Sequence, residues 1–144
     1  MISYNFIVRW GDTDAAGIVF FPNFYKWMDE ASHELLQKVK KSSWSLFSEE
    51  RESIPLLEAH CQFYKPLLFE DQVTIETTVD NIANKTFKLI HTFKRQNEVV
   101  AQGYTVRAWT TFLDRPKAIP IPDDARQNLA ELMAKGELVN DYKG

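Results

Sequence analysis

Cys61 is the only cysteine in the chain of 144 residues. That excludes an intrachain disulfide and a zinc cluster built on several thiolates, and it fits a reducing compartment. No run of about 18 apolar residues marks a membrane-spanning helix, and Met1–Arg9 is too short and too polar for a signal peptide. The five glycines are scattered, so the chain holds no phosphate loop, no Gly-rich dinucleotide motif and no G-x-S-x-G elbow. His33, His60 and His91 lack the spacing of a metal site. Positive charge is not in excess either. The net charge of -3 argues against nucleic acid or an anionic membrane as the main partner. These absences lead one to expect a soluble, cytoplasmic protein, a single domain over residues 1–144, with no bound metal.

Aromatic residues, by contrast, are plentiful at 13%, within a hydrophobic fraction of 44%. That is enough for a core, with rings left over for a pocket or an interface. Ile2, Tyr4, Phe6 and Val8 alternate as in a strand. From Pro22 the period changes: Phe24, Trp27, Met28, Ala31, Leu35 and Leu36 follow helical spacing. Proline suits the first helical position and the lysines near residue 40 suit the last turn, so a helix is predicted over Pro22–Lys40. Ser42–Glu50 predicts a short second helix capped by Ser43. Strands follow: one with Leu57, Ala59, Cys61 and Phe63 on its apolar face, one with Val73, Ile75, Thr77 and Val79, one with Phe87, Leu89, His91 and Phe93, and a last run over Val99–Leu113. His91, in an apolar row, reads as a hydrogen-bonded core histidine. Asp123–Lys135 predicts an exposed terminal helix. The order predicts an α+β fold, an antiparallel sheet around one long central helix. One helix covers one sheet face, so another face or an edge is left for a second subunit.

The stretch Trp10–Ala31, WGDTDAAGIVFFPNFYKWMDEA, sets carboxylates beside the most hydrophobic segment. Gly17 lets the loop bend sharply. The helix behind it begins with N–H groups that lack partners. If Pro22 is the first helical residue, Phe21 is the cap and offers no side-chain acceptor, so the leading amides are free for a ligand oxygen. With Asn23 as the cap that argument weakens. A carboxylate, Asp14, facing an amide-lined oxyanion site is sufficient for acyl-group hydrolysis, by direct attack or through water. Asp29 falls close to the apolar stripe of the helix, where a carboxylate needs a partner.

Asp12-Thr13-Asp14-Ala15-Ala16-Gly17-Ile18-Val19-Phe20-Phe21-Pro22-Asn23-Phe24-Tyr25, followed by Trp27 and Asp29, resembles the signature of the 4-hydroxybenzoyl-CoA thioesterase family of hot-dog-fold acyl-CoA hydrolases. The resemblance implies a long helix wrapped by an antiparallel sheet, and homodimers or homotetramers with sites between subunits. It places the catalytic aspartate on Asp14 and the oxyanion donor on the backbone N–H of Phe21. It also implies a second acidic site residue at Asp29, substrate contacts at Gly17, Trp44, Ile54, Pro55 and Leu56, and phosphate-binding positions at Lys85, Thr86 and Lys117. Ala83 and Asn84 depart from the family, a relative of which has arginines there. The implied reaction turns an aromatic, hydroxybenzoyl-like, or short-chain acyl-CoA into free acid and CoA. Coenzyme A enters as part of the substrate, with no separate cofactor. The alternative is a hot-dog protein that binds an acyl-CoA or an acyl carrier without hydrolysing it.

Overall fold

The computed structural model describes residues 1–136; of the domain expected over 1–144, residues 137–144 lie outside the described residues. The chain runs β1 (Ile2–Ile7), a single 3-10 turn (Trp10–Asp12), α1 (Pro22–Val39), α2 (Ser43–Ser45) with a π turn at Leu46–Glu50, β2 (Glu52–Ser53), β3 (Leu56–Phe63), β4 (Gln72–Ile82), β5 (Thr86–Arg95), β6 (Glu98–Ala108), β7 (Thr110–Thr111), β8 (Lys117–Ala118) and α3 (Asp123–Lys135). Five strands form the main sheet in the order β1-β4-β5-β6-β3, all neighbours antiparallel. A small sheet, β2-β7-β8, stands beside it.

α1 lies against the main sheet because Phe24, Trp27, Met28, Ala31, Leu35, Leu36 and Val39 recur on one face and are buried. Full burial of one such side chain contributes about 1.5–3 kcal/mol. The first half of the helix packs with Val8, Val19, Ile75 and Phe93. The second half packs with Leu46, Ile54, Phe87 and Trp109. The β5–β6 turn puts Gln96 and Asn97 at φ 52° and 63°, the left-handed pair that a tight hairpin needs.

Four expectations are revised. The cap of α2 is Ser42, whose Oγ accepts from Ser45 N at 3.2 Å, and not Ser43. The last strand does not run on to Leu113. It breaks at the buried Trp109, whose N–H donates to Lys85 O and whose Nε1 donates to Glu52 Oε1, and its tail joins the small sheet. α3 is half-covered, with Ala125 and Leu129 fully buried against the second cluster. On β3 only Cys61 of the expected apolar row is buried, and Leu57 is 61% exposed. β3 is an edge strand bulged between Leu56 and Glu58, and part of its row extends beyond the cover of α1. The core reading of His91 agrees with the structure: Nδ1 meets Thr77 Oγ1 and Nε2 meets Thr105 Oγ1, each at 2.9 Å. Among the described residues no helix is long and apolar enough to cross a membrane.

Candidate active site

The loop before α1 is a tight excursion closed by a bridge between Thr13 and Val19. Asp14 N donates to Ile18 O and Gly17 N donates to Asp14 O, each at 2.9 Å. Gly17 has φ +81°, which a residue with a Cβ seldom adopts. The exposed Asp14 carboxylate accepts Ala16 N on Oδ1 at 2.8 Å, and Oδ2 has no partner among the described residues. Asp12 is engaged in holding the loop. Its Oδ2 accepts Arg9 N at 2.7 Å, and its carbonyl accepts both Phe20 N and Asn23 Nδ2 at 2.9 Å. The carbonyl two residues before Asp14 is thus tied to the residue just before Phe21.

At the start of α1, Phe21 is the cap, with no side-chain cap bond, and Pro22 follows. Asn23 does not cap the helix, because its side chain is bound to Asp12. The amides of Asn23 and Phe24 donate back to Phe20 O and Phe21 O. The several free amides expected at this end therefore reduce to one, the Phe21 N–H, which has no partner among the described residues. Beside it opens an apolar cavity of about 370 Å³, lined by Ile18, Phe21, Phe24, Phe63 and Leu67 among others. Phe24 and Phe63 meet there edge to face at 4.9 Å.

Asp29 lies on α1 two turns beyond Phe21, with its side chain 53% exposed. Its carboxyl is lowered to about 2 by the His33 ring at 3.6 Å and by Arg107 at 2.8 Å, against a burial that raises it. The Arg107 contact is the shorter and carries a permanent charge. His33 Nδ1 in turn meets Ser43 Oγ at 2.5 Å. The partner that Asp29 needed is thus Arg107, a residue the sequence reading missed. The signal was there: Arg107 keeps the period-two phase of the buried Gly103 and Thr105 in β6. Ile54 is buried and its carbonyl accepts from Arg107 Nη1 at 3.2 Å, while Pro55 and Leu56 are exposed. Trp44 is 76% exposed, so it is not a core residue.

Lys85 is exposed in the β4–β5 turn, Thr86 opens β5, and Lys117 is exposed on β8. Neither lysine ammonium has an acceptor among the described residues. A second cation missed by sequence reasoning stands at this turn: Arg126 of α3 donates through Nη2 to the carbonyls of Ala83 and Asn84, each at 2.8 Å. The structure holds Asp14 and Gly17 in one loop, tied through the Asp12 carbonyl to the residue before Phe21, and separately brings Asp29 and Ile54 together on Arg107. It does not bring Asp14 together with Lys85. Asp14 follows β1, whose Ile7 pairs with Gln72 at the start of β4, and Lys85 follows Ile82 at its other end; β4 itself is about 33 Å long at strand rise.

The sequence profile of the thioesterase-like superfamily matches residues 8–129. The chain is 29% identical to the 4-hydroxybenzoyl-CoA thioesterase of Pseudomonas sp. strain CBS-3 over 81% of its length and 89% of that protein's. It is 31% identical to the 1,4-dihydroxy-2-naphthoyl-CoA hydrolase of Synechococcus sp. strain WH7803, covering 78% and 79%. Its fold superposes on a gentisyl-coenzyme A thioesterase with a TM-score of 0.81, at 43% identity over 90% of this chain and 99% of that one. It superposes with a TM-score of 0.82, at 25% identity over 89% and 97%, on an Asp-to-Asn variant of 4-hydroxybenzoyl-CoA thioesterase in complex with 4-hydroxybenzoyl-CoA.

Proposed function

The chain belongs to the thioesterase-like superfamily, with the hot-dog fold, and is an acyl-CoA thioester hydrolase; from that premise we propose that it turns an aromatic, hydroxybenzoyl-like, or short-chain acyl-CoA into the free acid and CoA, with Asp14 as nucleophile or general base. The observation that carries this reading is the unpartnered Phe21 N–H at an uncapped helix start, tied through Asp12 to the loop of Asp14. The thioester carbonyl oxygen accepts from that N–H. As negative charge grows on the oxygen, the donor and the helix dipole are already oriented toward it. The Asp14 carboxylate either forms a bond to the carbonyl carbon, expelling the CoA thiolate and leaving an anhydride that water opens, or takes a proton from the water that attacks. No separate cofactor takes part in either route.

Three of the named relatives act on ring-bearing acyl groups, and the apolar cavity beside Phe21 suits such a group. Asp29 and the segment Ile54–Leu56, with Trp44, face the acyl part. Lys85, Thr86 and Lys117, joined by Arg126, hold the CoA phosphates. Because Asp14 and Lys85 lie at opposite ends of β4, the complete site draws on two copies of the chain, in a homodimer or homotetramer. The single buried cysteine supports a cytoplasmic setting.

A panel of benzoyl-, 4-hydroxybenzoyl-, gentisyl-, naphthoyl- and short aliphatic CoA thioesters, read by thiol release, names the acyl group. A protein that released CoA from none of them would be a binder instead. Asp14→Asn keeps shape and removes charge. Turnover is expected to fall about 10²–10⁴-fold while acyl-CoA binding persists. Unchanged turnover would end this mechanism.

A further inference from the structure

Arg107 is 1% exposed, on a strand paired on both sides, opposite Leu56 of β3 and Phe87 of β5. Taking a guanidinium out of water is unfavourable unless its donors are matched. Here they are matched poorly. Nη1 alone is bonded, to Asp29 Oδ1 at 2.8 Å and to Ile54 O at 3.2 Å, while Nε and Nη2 are buried with no partner among the described residues. Its carboxylate partner is half-exposed, so the pair is lopsided: a fully buried cation behind an anion that looks outward. As a stability device, an apolar side chain filling the same place beside Ile54 and Phe87 would serve as well or better. What an apolar side chain would not supply is the link made by Nη1. One nitrogen ties the helix carboxylate to the backbone that leads into Pro55 and Leu56.

We propose that Arg107 is a positioning residue of the acyl site, fixing the Asp29 carboxylate and the Ile54–Leu56 segment relative to each other. The inference rests on the site reading given above. Arg107 does not touch substrate; it acts through Asp29. His33, with its ring held by Ser43, flanks Asp29 from the same helix, and His91 is the other titratable group facing the guanidinium. Asp29 therefore remains a charged acceptor aimed in one direction.

A double-mutant cycle tests this, with Arg107→Met, Asp29→Asn and the pair, each assayed for kcat and KM with the best thioester. Arg107→Met is expected to lower kcat/KM about tenfold to a hundredfold, the scale of a misplaced site group, without lowering the thermal midpoint. In the Asp29→Asn background the same change is expected to add no further loss. Arg107→Lys, which keeps the cation and one nitrogen, should fall between wild type and Arg107→Met. If the Met variant does not fold, the Lys variant carries the cycle. Unchanged kcat/KM in Arg107→Met, or losses that multiply in the double variant, would overturn the proposal and leave Arg107 a plain structural residue. Failure of the reaction scheme is distinguishable. Should Asp14→Asn retain full turnover, or wild type release no CoA, the same cycle is read in the Kd of a non-hydrolysable acyl-CoA thioether, where the non-additivity must still appear.

Discussion

At the scale of single residues, His91 sets how the protein answers to acid. Burial, reinforced by the Arg107 charge, pushes its imidazole from 6.5 down to about 3. An unfolded chain binds a proton on that ring below about pH 6.5, and the folded chain does not until about pH 3. Over that window the unfolded state holds the extra proton, so stability is full above pH 6.5 and declines as pH falls. Between pH 7 and 5 the loss from this one group is about 2 kcal/mol. Urea unfolding at the two pH values should show it, and His91→Gln should show a flatter dependence; equal slopes in both proteins would contradict the assignment. Asp29 acts in a lower window. Its carboxyl, held at about 2, contributes stability that is present above its ordinary value near 3.8 and lost as pH falls through 2. Its half-exposure keeps that contribution small. Cys61, by contrast, is buried and its thiol is pushed up to about 12, so it is no nucleophile.

At the scale of elements, the closest approach is where β6 passes α1 and β3. A Cβ on Gly103 would stand 2.3 Å from the His60 carbonyl oxygen and 2.7 Å from Met28 Sδ. The thioether end can swing away, but the carbonyl belongs to the paired backbone of β3. Gly103→Ala should therefore destabilise by about 1–3 kcal/mol, seen as a lower urea midpoint at an unchanged slope. An unaltered midpoint would mean that β3 is free to move. The helix start shows the opposite economy. Pro22 has no N–H, and the Asn23 and Phe24 amides turn back on the loop, so one donor is left at Phe21.

At the scale of the whole molecule, β3 is a sheet edge with Leu56 and Leu57 exposed, the kind of edge that natural proteins cover. A second copy in the assembly proposed above has this edge to cover. Leu57→Glu should then shift the mass in light scattering toward the single chain at micromolar concentration. Thioesterase activity should fall with it, since the site proposed above draws on two copies of the chain. A variant that kept both mass and activity would place the interface elsewhere.

The sequence by itself determined the period of each element, because side-chain burial repeats every 3.6 or 2 residues whatever lies opposite. Pro22, the apolar stripe behind it, the alternating rows of β4 and β5 and the limits of α3 were all legible for that reason, and the long loop motif singled out Asp14 and Phe21 as candidates. What only the tertiary structure decided was which groups meet across elements. The Arg107–Asp29 contact spans 78 positions, the Arg126 bond to Asn84 spans 42, and the break at Trp109 arises because the small sheet claims the end of β6. Local pattern carries no term for such encounters; they are fixed when the helix is laid across the sheet and each buried donor must find an acceptor.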